Sequence, residues 1–88
     1  MWQVKFTKNA DKDKKYLKSA GLEQKAKAIL NLLTINPFQN PPSFEKLVGD
    51  LKGYYSRRIN VQHRIVYQVL KNEKIVVVHS MSLRKIIS

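Results

Sequence analysis

Three arginines, Arg57, Arg58 and Arg64, fall within eight residues of one another. A guanidinium is permanently charged and offers a planar fork of donors that matches phosphate oxygens, so such a cluster reads as an anion site. If these residues lie on strands, alternation decides which of them share a face, and Arg57 and Arg58 must point opposite ways. A turn over residues 60–62 would set Arg58 directly across from Arg64, whereas a two-residue turn would set Arg58 across from Ile65. Directly opposed like charges repel. The first register therefore makes physical sense with an anion such as phosphate between the two arginines; the competing reading is a pair of solvated surface cations. Tyr54, Tyr55 and Tyr67 interleave with these arginines, as where bases stack on rings while cations hold a nucleic-acid backbone. Tyrosine also suits strands, and on that reading one or two of the three pack against helices.

Glu45 stands in a neutral to basic stretch beyond a proline-rich loop, in a chain with only six acids. A carboxylate among cations is either a member of a structural ion pair or a base held ionised for proton abstraction. His63 and His79 are the only imidazoles, and there is no cysteine. That set is too sparse for a metal cluster and excludes a disulfide framework, so neither metal nor cofactor is expected.

The elements that must position these groups follow from periodicity. Alternation over residues 2–7 predicts a short strand with Trp2, Val4 and Phe6 on one face. Thr7 or Asn9 can cap a lysine-rich helix over 11–20, with Ala10, Leu17 and Ala20 as its buried stripe and Gly21 as its stop. A second helix is predicted over 22–35, with Leu22, Ala26, Ile29 and Leu33 on one face. Asn36-Pro37 ends it, and residues 38–43 form a proline-rich loop. Strands are predicted over 54–60, 63–70 and 74–81. The order strand-helix-helix-strand-strand-strand implies an α+β domain over residues 1–88, with two N-terminal helices packed on one face of a mostly antiparallel sheet. The other face is left as a working surface.

Seventeen Lys plus Arg against six acids give a net charge of +11, which points to a polyphosphate backbone or an acidic protein as partner, or else to a solubilising surface. The N-terminus carries no export-type apolar region. The longest aliphatic run, residues 75–78, is four residues, far short of the roughly 20 that cross a bilayer. A soluble cytoplasmic protein without a membrane partner is expected.

Taken in order, Ser43-Phe44-Glu45-Lys46-Leu47, then Leu51-Lys52-Gly53-Tyr54-Tyr55-Ser56-Arg57-Arg58-Ile59, then His63-Arg64-Ile65-Val66-Tyr67 resemble the signature block of Txe/YoeB toxins, a branch of the RelE/ParE toxin-antitoxin superfamily. The resemblance implies a RelE-like fold and a ribosome-dependent endoribonuclease, an mRNA interferase in which the ribose 2′-OH attacks the adjacent phosphate. It implies Glu45 as general base, Arg64 as the cation stabilising the pentacovalent phosphate and Arg58 as a second basic residue beside it. Tyr54, Arg57, His63, Tyr67 and Arg84 are the expected substrate-binding residues. The implied partners are an acidic antitoxin, the ribosome and mRNA, in a homodimer or a toxin-antitoxin hetero-oligomer.

Such chains usually end in a His-Tyr pair whose histidine is the general acid. This sequence ends Val78-His79-Ser80-Met81-Ser82-Leu83-Arg84-Lys85-Ile86-Ile87-Ser88, so Ser82 or Arg84 takes that place. Neither titrates near neutrality. Loss of such a partner removes about 10²- to 10⁴-fold of rate. The open readings are an impaired toxin, charge stabilisation by Arg84 or Lys85, and substitution by His79 or His63; by its distance from the acid position, His79 reads as a strand residue. A non-cleaving relative that binds antitoxin and ribosome and autoregulates is the alternative function. A ParE-like action on gyrase is a third, opposed by Glu45 and the strand arginines.

Overall fold

The computed structural model describes residues 1–51 and 53–81. The chain runs β1 (Gln3–Phe6), α1 (Lys8–Ser19), α2 (Glu23–Ile35), β2 (Glu45–Lys46), a 3-10 turn (Gly49–Leu51), β3 (Tyr54–Arg58), β4 (Arg64–Leu70) and β5 (Ile75–Ser80). The strands form one sheet in the order β1-β5-β4-β3-β2. Among the described residues only the β1–β5 pair is parallel, because the helical hairpin carries the chain over one face before it returns. The expected α+β arrangement of two helices against a mostly antiparallel sheet is what forms.

Thr7 caps α1, its hydroxyl accepting from the Ala10 amide at 3.2 Å, which satisfies one of the donors a helix start leaves unpaired. Gly21, with φ of +72°, supplies the left-handed residue just past the helix. Ala20 was expected in the buried stripe. It is exposed, because the chain leaves the helix there. The stripe runs instead through Ala10, Asp13 and Leu17 at helical spacing. Asp13 is 3% exposed, and its carboxylate accepts from the Met81 amide at 3.0 Å and the Ser80 hydroxyl at 3.4 Å. A charged residue does not register as core in a hydropathy pattern. Its partners here lie at the far end of the sequence.

Leu17, Ala26 and Leu33 from the helices and Leu22 at the cap of α2 meet Ile65, Tyr67, Val76 and Val78 from the sheet. Leu33 has no exposed surface, so Leu33→Ala should cost about 2 to 5 kcal/mol through lost contacts and a residual cavity. Urea denaturation followed by circular dichroism should show a lower midpoint at unchanged slope. A midpoint equal to that of the parent chain would remove Leu33 from the core account.

Strand alternation sorts the sheet into two faces. Tyr55, Arg57, Ile65, Tyr67, Val76 and Val78 lie on the helix-covered side. Tyr54, Ser56, Arg58, Arg64, Gln68 and His79 lie on the open side. β2 was not anticipated, since two exposed residues carry no period to read. It extends the open face by one edge strand.

Candidate active site

The hairpin between β3 and β4 is closed by Asn60. Its side-chain oxygen accepts from the Gln62 amide at 2.9 Å and the His63 amide at 2.7 Å, while the Ile59 amide donates to the His63 carbonyl at 2.8 Å. An Asx-type turn of this kind holds the three-residue connection and hence the register. Arg58 is therefore paired with Arg64, Arg57 with Ile65 and Ser56 with Val66. Of the two registers open from sequence, the one that opposes two arginines is realised.

β2 brings the carboxylate to them. Glu45 pairs with Ser56 across the β2–β3 ladder, on the same face as Arg58 and Arg64. Arg64 Nη1 donates to Glu45 Oε1 at 2.9 Å and to Ser56 Oγ at 3.1 Å. This hydrogen bond, then the charge of Arg64, with Arg58 adding to it, holds the Glu45 carboxyl below the usual glutamate range against a smaller opposing effect of burial. The anion that relieves the opposed arginines is thus supplied by the protein itself. Glu45 keeps 65% of its side-chain surface exposed, against 16% for Arg64, so the pair is open to exchange with another anion. Ser43, Phe44, Glu45, Ser56 and Arg58 line a cleft of about 220 Å³ here. Glu45 is thus a member of an ion pair and at the same time an accessible carboxylate.

Arg57 was expected to bind substrate, and the structure corrects this. It is 1% exposed. Its Nε donates to the Tyr67 hydroxyl at 3.0 Å, Nη1 to the Pro42 carbonyl at 2.7 Å, and Nη2 to the carbonyls of Pro37 and Gln39 at 3.0 and 2.8 Å. Its guanidinium carbon lies 4.9 Å from the centre of the Phe44 ring. Arg57 is a staple that holds the loop before β2 against the sheet.

Tyr67 needs the same correction. It has no exposed surface, its hydroxyl donates to the Pro37 carbonyl at 3.2 Å, and burial pushes its phenol above the ordinary range despite the nearby Arg57. Tyr55 is a packing residue too, 5.6 to 5.8 Å from Phe38, Phe44 and Tyr67.

Tyr54 alone of the three tyrosines lies on the open face, its ring 4.8 Å from that of His79. His63 is turned back toward its own turn, with Nδ1 3.1 Å from the Asn60 side-chain oxygen, and sits one residue out of phase with Arg64. Arg84 lies outside the described residues. Ser56 and Gln68 were not singled out as site residues, and His79 was weighed only as a substitute acid, although Ser56 shares the parity of Tyr54 and Arg58 and could have been placed beside them by alternation alone. Among the described residues no group of three potential ligands could hold a metal ion, and no helix is long and apolar enough to cross a membrane.

Comparison with known proteins converges on one family. A family model described as the YoeB-like toxin of bacterial type II toxin-antitoxin systems matches residues 6–82. A toxin YoeB from Synechocystis sp. is 37% identical over 65 residues, covering 74% of this chain and 69% of that protein. The solved YoeB/ParE toxin from Agrobacterium tumefaciens superimposes with a TM-score of 0.83 at 26% identity, covering 93% of this chain and 98% of the other. The toxin in the heterotetrameric YoeB-YefM toxin-antitoxin complex from Staphylococcus aureus does so with a TM-score of 0.78 at 31% identity, covering 96% and 98%.

Proposed function

The chain belongs to the YoeB-like toxins of bacterial type II toxin-antitoxin systems, and on that footing we propose that it is a ribosome-dependent endoribonuclease that cuts mRNA at the Glu45–Arg58–Arg64 site. The observation that carries the proposal is the exposed Glu45 carboxylate, held 2.9 Å from Arg64 with Arg58 across the same ladder.

An incoming phosphodiester competes with Glu45 for the two guanidinium groups. As it takes them, the carboxylate loses the contact that depresses its pKa and becomes a stronger base. Glu45 then accepts the 2′-OH proton, O2′ bonds to phosphorus, and the phosphorus–O5′ bond breaks, leaving a 2′,3′-cyclic phosphate and a 5′-hydroxyl. Arg64 and Arg58 face the charge that develops on the phosphoryl oxygens. The departing oxygen takes its proton from water, since among the described residues His63 is hydrogen-bonded to Asn60 and His79 lies against Gln68 rather than beside Arg64. That route forgoes about 10²- to 10⁴-fold of rate relative to a positioned acid. A requirement for the 2′-OH confines the chemistry to RNA.

The net charge of +11 suits the ribosome and mRNA, and equally an acidic antitoxin that covers the same face when the toxin is held silent.

A primer-extension map on mRNA with purified ribosomes tests the reading. Discrete stops that require ribosomes are expected from the chain as it stands. Ser82→His with Leu83→Tyr, which supplies the terminal pair, should raise the cutting rate by about 10²-fold or more. Stops from the doubly substituted chain alone would assign this protein an impaired site, and stops from neither would overturn the nuclease.

A further inference from the structure

Along β4, Gln68 lies four residues beyond Arg64 on the same open face, about 13 Å away at the rise of an extended strand. Tyr54 is its partner on β3. From β5, His79 brings Nε2 to 3.4 Å from Gln68 Oε1, and its ring lies 4.8 Å from that of Tyr54 at a tilt of 47°. All three side chains are half-buried, and none joins the hydrophobic core cluster of the described residues. The remaining residues of β5 before Ser80 are Ile75, Val76, Val77 and Val78. Packing of that strand therefore gives no reason for an imidazole at this position.

The chemistry of the trio is specific. Burial pushes the His79 imidazole below its ordinary range, so at neutral pH one ring nitrogen donates and the other accepts. The Gln68 carboxamide adds a donor and an acceptor. The 3.4 Å contact between them is long, so both retain hydrogen-bonding capacity for a third group. Beside them the Tyr54 ring offers a face for stacking. A phosphate would be gripped by cations, of which this trio has none. An unstacked nucleobase is recognised by an aromatic face together with neutral donors and acceptors at its edge.

We propose that Tyr54, Gln68 and His79 form a nucleobase-reading site that sets the base preference of an RNA whose phosphate is held at Arg58 and Arg64. The proposal takes its place in function from the ribonuclease reading, but binding tests it separately.

Uncleavable single-stranded oligoribonucleotides, each with a 2′-deoxy sugar at the position of attack and one of the four bases at each neighbouring position, would be titrated against the full chain by fluorescence anisotropy. The parent chain should prefer one base at one position by about fivefold or more. His79→Ala and Gln68→Ala should flatten that preference toward one, with circular dichroism unchanged. Tyr54→Ala should weaken all four bases alike, and Tyr54→Phe, which keeps the ring, should restore them.

Equal binding of all four bases by the parent chain would overturn the proposal. So would a preference unchanged in both His79→Ala and Gln68→Ala. An effect of these substitutions on capture by an antitoxin, with oligonucleotide binding unchanged, would also overturn it and assign the patch to a protein partner. Base preference in a parent chain that makes no ribosome-dependent cuts would sink the nuclease and leave the reading site standing.

Discussion

Arg64→Ala is expected to lower ribosome-dependent cleavage by about 10²- to 10³-fold while the domain stays folded, since a preorganised donor facing developing charge is worth that much. Glu45→Gln should lose about 10²- to 10⁴-fold, because the amide is nearly isosteric but cannot accept the 2′-OH proton. The two losses should not add in the double variant, as both residues act on one transition state. Single-turnover cleavage on ribosomes measures all three. Retention of the parent rate in Arg64→Ala would remove the phosphate-stabilising role.

A carboxyl titration by NMR adds a check independent of turnover. The folded-state pKa of Glu45 is depressed, chiefly by the Arg64 hydrogen bond. The stabilisation from the pair is therefore present above the ordinary glutamate pKa and is lost as pH falls through the lower folded value. In Arg64→Ala the titration should move up toward the ordinary range. Because Glu45 is largely exposed, solvent screens the pair and little global stability should follow it.

The second large effect is on folding. Arg57→Ala should destabilise the protein by about 3 kcal/mol or more, because it strips partners from buried and half-buried acceptors, against a total of roughly 5 to 15 for a typical domain. The carbonyls of Gln39 and Pro42 and the Tyr67 hydroxyl would lose the donor that Arg57 supplies, and the Pro37 carbonyl would keep only the Tyr67 hydroxyl. Arg57→Lys should rescue little, since an ammonium is a point charge and cannot span a cage built for a planar fork. Arg58→Ala, one residue along and exposed, should change stability by no more than about 0.5 kcal/mol. Chemical denaturation of the three variants makes the comparison. If Arg57→Ala melts with Arg58→Ala, the staple does not hold the loop. Loss of the staple should also unseat β2 and with it Glu45, so activity should fall further than the unfolded fraction alone accounts for.

Much of the architecture could be read directly from the chain. The stripes Leu22-Ala26-Leu33 and Trp2-Val4-Phe6, the cap at Thr7 and the stop at Gly21 are local signals, and local sterics and hydrogen bonding decide them. Alternation likewise determined that Arg57 and Arg58 face opposite ways and that Arg58 could oppose Arg64.

Which arginine is inside was decided only by the tertiary structure. The acceptors that make burial of Arg57 tolerable are backbone carbonyls of a proline-rich loop, and a carbonyl is present at every residue, so sequence gives no sign of it. Asp13 escaped for a related reason: its donors, the Met81 amide and Ser80 hydroxyl, are far away along the chain. The partnership of Glu45 with Arg64 required β2, whose two residues are too few to show a period. The placing of His79 beside Tyr54 and Gln68 required the pairing of β5 with β4 and of β4 with β3, registers that no local signal in β5 gives. A shift of one residue there moves a side chain to the opposite face. Composition determined that this protein carries a large excess of positive charge; the pairing of distant strands decided which of those charges meet the carboxylate and which are spent inside the fold.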